Sequence, residues 1–263
     1  MIELIHVTKA FGSKKVIDDL CLKMPANKIT VIMGGSGHGK STIVKLILGF
    51  IIPDSGEIIV DEVNVLEMSK QHRIEVLKKT GMCFQYSALF DSMNVFENVA
   101  FALREHQKQL KESEIAERVT STLNRLGLYD VEEKMPAELS GGMKQRASLC
   151  RALVHKPEVL ILDEPFGALD AFTREDLWQT MLTLKKKETF TCIMITHDLR
   201  EAIFLGDEVL VLSGRPANLQ FKLGVSLGEN RKLDDLYTNQ TTESLAILRK
   251  QIEIAQNTKT AHE

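Results

Sequence analysis

Four apolar runs of strand length recur along the chain with helix-length stretches between them: Lys28–Met33, Val159–Leu162, Cys192–Ile195 and Val209–Leu212. Their hydrophobicity is continuous and not alternating, so each predicted strand must be covered on both faces, as in a parallel sheet flanked by helices. That predicts an α/β fold. Shorter strand candidates in Ile2–Leu22 and Gly56–Val60, punctuated by Gly12, Pro53 and Asp54, predict an antiparallel sheet beside the main one. From Tyr86 to Glu138 apolar residues such as Ile115, Val119, Leu123 and Leu126 fall at helical spacing among charges, which predicts a mostly helical insertion. Beyond Arg215-Pro216 the chain turns polar, with one more amphipathic helix candidate at Glu243–Ala255 and a frayed end from Gln256. The expected layout is an α/β core from residues 1–85 and 139–215, a helical subdomain from 86–138 and a C-terminal extension from 216–263.

Composition narrows the classes. With 263 residues, 44% hydrophobic and 26% charged, the chain can bury a real core in one large domain or two intimate subdomains. Lys plus Arg is 33 against 36 Asp plus Glu, a net charge of −3, so no global electrostatic case for nucleic acid exists. The most apolar stretch, Ile43–Ile52, carries Lys45 and is far shorter than the roughly 20 residues a bilayer span needs. Met1–His6 does not read as a secretory signal. Any membrane role is therefore expected to be peripheral, through a partner. The four cysteines are far apart, without a CxxC pair, and are expected as buried or half-buried reduced thiols, not metal ligands.

Directly after the first predicted strand stand Gly34, Gly35, Ser36, Gly37, His38, Gly39, Lys40, Ser41 and Thr42, followed by a predicted helix. This matches G-x-x-x-x-G-K-[ST] in the strand–helix context the pattern requires. A polyphosphate must be wrapped at close range. Glycines let successive backbone N–H groups turn inward, and the following helix adds the positive end of its dipole. Lys40 is suited to the β- and γ-phosphates and the Ser41 hydroxyl to Mg²⁺. A chance match in a chain of this length would arise on the order of 1% of the time. His38 is expected to contribute through its backbone.

Asp163 and Glu164 end the Val159–Leu162 run, at the edge where open α/β sheets bind ligands. Asp163 is suited to hold Mg²⁺ through water, and Glu164 to polarise an attacking water for in-line hydrolysis of a γ-phosphate.

Leu139-Ser140-Gly141-Gly142-Met143-Lys144-Gln145-Arg146, a little over 20 residues before Asp163, resembles the signature motif of ABC-type ATPases. Other landmarks of that family follow the same order: Phe11 at the adenine-stacking position, Gln85 at the Q-loop, Gly167-Ala168-Leu169-Asp170 at the D-loop and His197 at the switch histidine. The likeness covers residues 2 to about 215. It implies a P-loop NTPase (RecA-like) mixed-sheet core with a small antiparallel β subdomain and a helical subdomain. It also implies ATP and Mg²⁺ as ligands, the latter on Ser41, Gln85 and Asp163. Ser140 with the N–H groups of Gly141 and Gly142 would form a second anion site at a helix N-terminus. In the family two copies pack head to tail, so that this site closes on the γ-phosphate held by the other copy. His197 would contact that phosphate and orient water with Glu164. The implied partners are transmembrane permease subunits, a second copy of the chain and a regulatory or solute-binding subunit, at the cytoplasmic face of the inner membrane.

The cargo signals divide. Phe84–His106 and Lys134–Glu138 are similar to Mla/Mce-type lipid transporters. Glu164–Arg174, Glu201–Leu205, Leu212–Pro216 and the final helix are similar to nitrate, sulfonate and taurine importers. The first set includes the surface expected to meet the permease, so phospholipid leads and small-anion import is the alternative. A non-transport ABC protein fits less well: about 100 residues separate Lys40 from Ser140 without the sustained heptads of DNA-repair relatives. A module that binds ATP without turnover is disfavoured by the intact Glu164 and His197.

Overall fold

The computed structural model describes residues 1–84, 87–167 and 169–257. The chain forms two compact units, Met1–Leu77 with Thr191–Glu263, and Lys78–Phe190. In chain order the first unit opens with β1 (Ile2–Phe11), β2 (Lys14–Met24), β3 (Ile29–Gly34), α1 (Lys40–Ile47), β4 (Ser55–Val60), β5 (Val63–Asn64) and α2 (Lys70–Lys78). The second unit contains β6 (Thr80–Cys83), α3 (Val95–His106), α4 (Glu112–Arg125), α5 (Gly141–Leu153), β7 (Val159–Asp163) and α6 (Ala171–Lys187). The first unit resumes with β8 (Thr191–Ile195), α7 (Leu199–Leu205), β9 (Glu208–Ser213), β10 (Asn218–Gly224) and α8 (Asn239–Asn257).

Within the first unit β3 lies between β8 and β9, parallel to both, with Thr30 opposite Ile193 and Val31 opposite Val209. Its residues Ile29–Met33 are buried, which accounts for their unbroken hydrophobicity. An antiparallel sheet in the order β2-β1-β4-β5 accompanies it, as the N-terminal pattern predicts. Gly56 of β4 approaches the His6 carbonyl so closely that no Cβ could be placed there. The second unit pairs β6 with β7 in parallel, Thr80 opposite Val159. Helix α3 starts on a capping box: Asn94 Oδ1 accepts from Glu97 N at 2.8 Å while Glu97 Oε2 accepts from Asn94 N at 3.1 Å. Val99, Leu103, Val119 and Leu123 of α3 and α4 are fully buried, the core of the expected helical insertion.

Two expectations need correction. The polar stretch after Pro216 contains a strand, β10, paired antiparallel with β9. It sits at the sheet edge half-exposed, so no apolar run announced it. Cys21 is exposed on β2, unlike the buried Cys83, Cys150 and Cys192. The helix predicted at Glu243–Ala255 forms within α8, and Arg231 fastens the approach to it by donating to the carbonyls of Phe204 (2.9 Å) and Gly206 (2.7 Å) and to Asp207 (3.0 Å). Among the described residues, no helix is long and apolar enough to cross a membrane.

Candidate nucleotide site

The first unit carries Phe11, the phosphate loop and His197. The loop leaves β3 at Gly34 and enters α1 at Lys40, the geometry its motif requires. Gly37 (φ 78°) and Gly39 (φ 73°) adopt left-handed backbone that side-chain-bearing residues resist. A Cβ on Gly34 would lie 2.8 Å from the Leu212 carbonyl oxygen of β9. Gly39, in left-handed backbone, is the N-cap of α1 and adds no side chain of its own at the anion-attracting end of the helix. Lys40 Nζ donates to the carbonyls of Gly34 (2.8 Å) and Gly35 (3.0 Å), poised over the loop. Ser41, in the first turn, is exposed, and Thr42 is half-buried.

His38 departs from expectation. Its side chain is fully buried, with Nδ1 3.1 Å from both the Gly35 amide and the Leu212 carbonyl. As an Nδ1–H tautomer the ring donates to the Leu212 carbonyl and ties the loop to β9; in the other tautomer Nδ1 accepts from the Gly35 amide within the loop, and in either the buried imidazole packs between loop and strand.

His197 follows β8, the strand next to β3, so its exposed ring and Lys40 rise from the same ends of two adjacent parallel strands. The turn is locked on both sides: Asp198 N donates to Thr196 Oγ1 (3.0 Å), and Asp198 Oδ1 accepts from Arg200 N (2.8 Å) and Glu201 N (3.2 Å) to cap α7. Phe11, at the end of β1, leaves its ring half-exposed with the Lys9 ammonium 5.6 Å from its centroid, a flat face open to a base.

The second unit carries the remaining residues, except Gln85, which lies outside the described residues together with Ala168 of the D-loop. Asp163 ends β7 and Glu164 follows it in left-handed backbone (φ 48°), a strained conformation of the kind functional turns retain. Ser140 caps α5, its Oγ accepting from Met143 N at 3.3 Å. Gly142 is glycine for packing, because a Cβ would meet the Thr173 methyl at 2.7 Å. Gly141 is different: nothing described lies within 4 Å of its Cβ position. Asp170 caps α6 through Thr173 N (3.0 Å), and its hydrogen bonds to Thr173 hold its carboxyl below the usual range.

Sequence reasoning missed one arrangement on α5. Gln145 Nε2 donates to Cys83 Sγ (3.2 Å), Ser148 Oγ lies 3.3 Å from the same sulfur, and Arg151 donates to the carbonyls of Ser87 (3.1 Å) and Ala88 (2.8 Å). These positions, three residues apart, face both ends of the segment leaving β6. Burial pushes the Cys83 thiol up to about 11, so it stays neutral. Only the i, i+3, i+6 spacing could have hinted at it.

The segment 17–167, more than half of the chain, matches the family model described as ABC transporter. The "Probable ribonucleotide transport ATP-binding protein mkl" of Mycobacterium leprae is 35% identical, over 94% of this chain and 76% of its own. The "Intermembrane phospholipid transport system ATP-binding protein MlaF" of Escherichia coli K12 is 39% identical, over 82% and 80%. The "Sulfate/thiosulfate import ATP-binding protein CysA" of Xanthomonas campestris is 38% identical, over 81% of this chain and 61% of its own. Among solved structures, the dimeric post-hydrolysis state of the ATP-binding cassette MJ0796 bound to ADP and Pi superposes with a TM-score of 0.77 at 26% identity, covering 87% of this chain and 100% of that one. Fold and motifs therefore define a P-loop ATPase of the cassette type. The chain belongs to the ABC transporter family as an ATP-binding, ATP-hydrolysing subunit.

Proposed function

We propose that this subunit powers a separate membrane permease that moves phospholipid, as a head-to-tail pair of cassettes with two ATP molecules enclosed between the copies. The observation that carries the paired site is Gly141: it heads the signature helix with open space around it, so nothing described in its own chain demands glycine, whereas a phosphate brought by a second copy would. In this reading Gly34–Thr42 cradle the triphosphate, Phe11 stacks on adenine, and Ser140, Gly141 and Gly142 face the γ-phosphate of the partner copy. Glu164 takes the proton of the attacking water, and His197 holds that water and the γ-phosphate in line.

The Ser41 hydroxyl and the Asp163 carboxylate are hard oxygen donors of the kind Mg²⁺ takes, and in this reading they would hold it, with Gln85 completing the set from the family pattern. When bound, it would neutralise charge on the β- and γ-phosphates. Residues 1–85 and 139–215 form the nucleotide core in this scheme, 86–138 the helical subdomain that meets the permease, and 216–263 an extension. The site works at the cytoplasmic face of the inner membrane.

Support for permease docking comes from Phe84, Phe90 and Phe101, each more than a third exposed on the second unit, with the Phe90 and Phe101 rings in tilted contact at 5.1 Å. Phospholipid is favoured because this segment is the one similar to Mla/Mce-type proteins, and MlaF is a relative. The CysA relative and the Leu212–Pro216 segment favour small-anion import as the second reading. Co-purification with the native permease distinguishes them: lipid with an Mce-type permease supports the first, a permease fed by a solute-binding protein the second. For the chemistry, Glu164→Gln should abolish phosphate release while retaining ATP binding; equal turnover in both proteins removes Glu164 as the base.

A further inference from the structure

The Leu212–Pro216 segment has a place in the first unit that the family function leaves unused. It forms the end of β9 and the turn into β10, and it runs along the outside of the phosphate loop. Leu212 O faces His38 Nδ1 at 3.1 Å and would sit 2.8 Å from a Cβ on Gly34. Ala217, whose amide donates to Val16 O at 2.8 Å, would leave 3.0 Å to a Cβ on Gly39. Between these anchors Arg215 Nη2 donates to the carbonyl of Ser36 at 2.9 Å. Its guanidinium lies over Gly37, where a Cβ would come to 3.0 Å from Cζ and 3.1 Å from Nε.

We infer that Arg215 is a positioning residue for nucleotide binding: by holding the Ser36 carbonyl outward it aims the Gly37 N–H into the phosphate cradle. The peptide unit between Ser36 and Gly37 is planar and trans, so its C=O and N–H point in opposite directions. Fixing one fixes the other. Gly37, at φ 78° and without a Cβ, would otherwise let this peptide rotate more freely than any other residue would. A donor fixed to the carbonyl therefore removes freedom that phosphate binding would have to remove itself. The planar guanidinium suits the task because it can lie flat on the glycine and donate from its edge; a lysine ammonium offers a charge without that plane. Arg215 is exposed and bonded to a carbonyl, so it acts through the loop and not as a catalytic residue.

The inference rests on the ATP-binding reading, and the experiment separates the two. Binding of a fluorescent ADP and ATP analogue is measured for wild type, Arg215→Ala, Arg215→Lys and Arg215→Gln, together with steady-state turnover and thermal midpoints. Arg215→Ala should weaken ATP and ADP alike by about three- to tenfold, the range for one ordinary hydrogen bond, since solvent around the exposed guanidinium screens its charge. Its kcat at saturating ATP should stay within about twofold, the signature of uniform binding loss. The thermal midpoint should not move, and Arg215→Gln, which keeps an amide donor, should recover part of the affinity. Unchanged affinity in Arg215→Ala overturns the inference. So does full recovery in Arg215→Lys with the difference vanishing at high salt, which would mark a long-range charge effect. If wild type itself fails to bind nucleotide, the ATP-binding reading falls and takes this inference with it, whereas normal wild-type binding with unchanged affinity in Arg215→Ala overturns the positioning role alone.

Discussion

Two loops leave parallel strands in this protein, and they solve the same steric problem in opposite ways. The phosphate loop after β3 places glycine where the backbone turns left-handed, at Gly37 and Gly39. The segment after β6 places Ser87 (φ 55°) and Ala88 (φ 46°) there instead, and Arg151 of α5 grips both of their carbonyls. For residues with a Cβ the left-handed region costs about 1–2 kcal/mol each. One loop is therefore relaxed and closely packed, built to hold a fixed shape around an anion. The other is strained at Ser87 and Ala88, where Arg151 of the helix that Ser140 begins holds their carbonyls, beside the exposed aromatics expected to meet the permease.

The largest effect should come from the packed loop. Gly34→Val would drive a Cβ into the Leu212 carbonyl, a backbone atom that cannot swing aside. We expect a loss of about 2–4 kcal/mol in urea denaturation, as for other overpacked core sites, together with lost nucleotide binding. Near-normal stability and affinity would show that the loop is not seated against β9 and would erase the contrast.

Much of the first loop was readable from sequence because its constraints are local: a buried strand, glycines at fixed spacing and a helix start all fall within residues 29–47. The four apolar runs likewise became β3, β7, β8 and β9. What escaped are partners distant in the chain. Arg215 meets Ser36 across 179 positions, and Arg151 meets Ala88 across 63, with no periodicity linking them. β10 lacks the continuous apolar run that marks the interior strands; its signal is the alternation of Leu219, Phe221 and Leu223 with Gln220 and Lys222, the period of a half-buried strand, which a search for unbroken runs passes over.

A second prediction sharpens the comparison through pH. His155 sits after α5, with its buried ring near the backbone of Thr80 where β6 begins, while Gln107 donates to its carbonyl at 3.3 Å. Burial, then the neighbouring His106 ring 5.7 Å away, hold the His155 imidazole down to about 4 from 6.5. His106 is itself lowered, by burial and by Lys78, against the opposing pull of Glu105. A lowered folded value means that the unfolded chain takes up the proton first as pH falls. The stability is therefore complete above pH 6.5 and lost progressively toward about 4, by no more than about 3 kcal/mol. Trp178, the one tryptophan and fully buried in α6, reports on this unit alone. Its acid transition should move to lower pH in His155→Leu; an unmoved midpoint would remove His155 as the acid-sensitive group.

The smallest effect tests the strain itself. Ala88→Gly should remove the left-handed penalty, about 1–2 kcal/mol, but return much of it as unfolded-chain entropy, about 0.5–1 kcal/mol. The net expectation is a gain below about 1 kcal/mol in the urea midpoint at constant m. Gly37→Ala, the mirror change in the phosphate loop, should lose stability, since φ is 78° and the Arg215 guanidinium occupies the space. Opposite signs for these two exchanges would establish that one loop is glycine-relaxed and the other strained. A loss in both would mean that the Ala88 methyl contributes packing worth more than its strain. Under the first outcome Arg151 is holding the 87–88 turn away from a conformation close to it in energy, and a partner that contacts Phe90, 5.4 Å from that guanidinium, has a short path to the helix bearing Ser140.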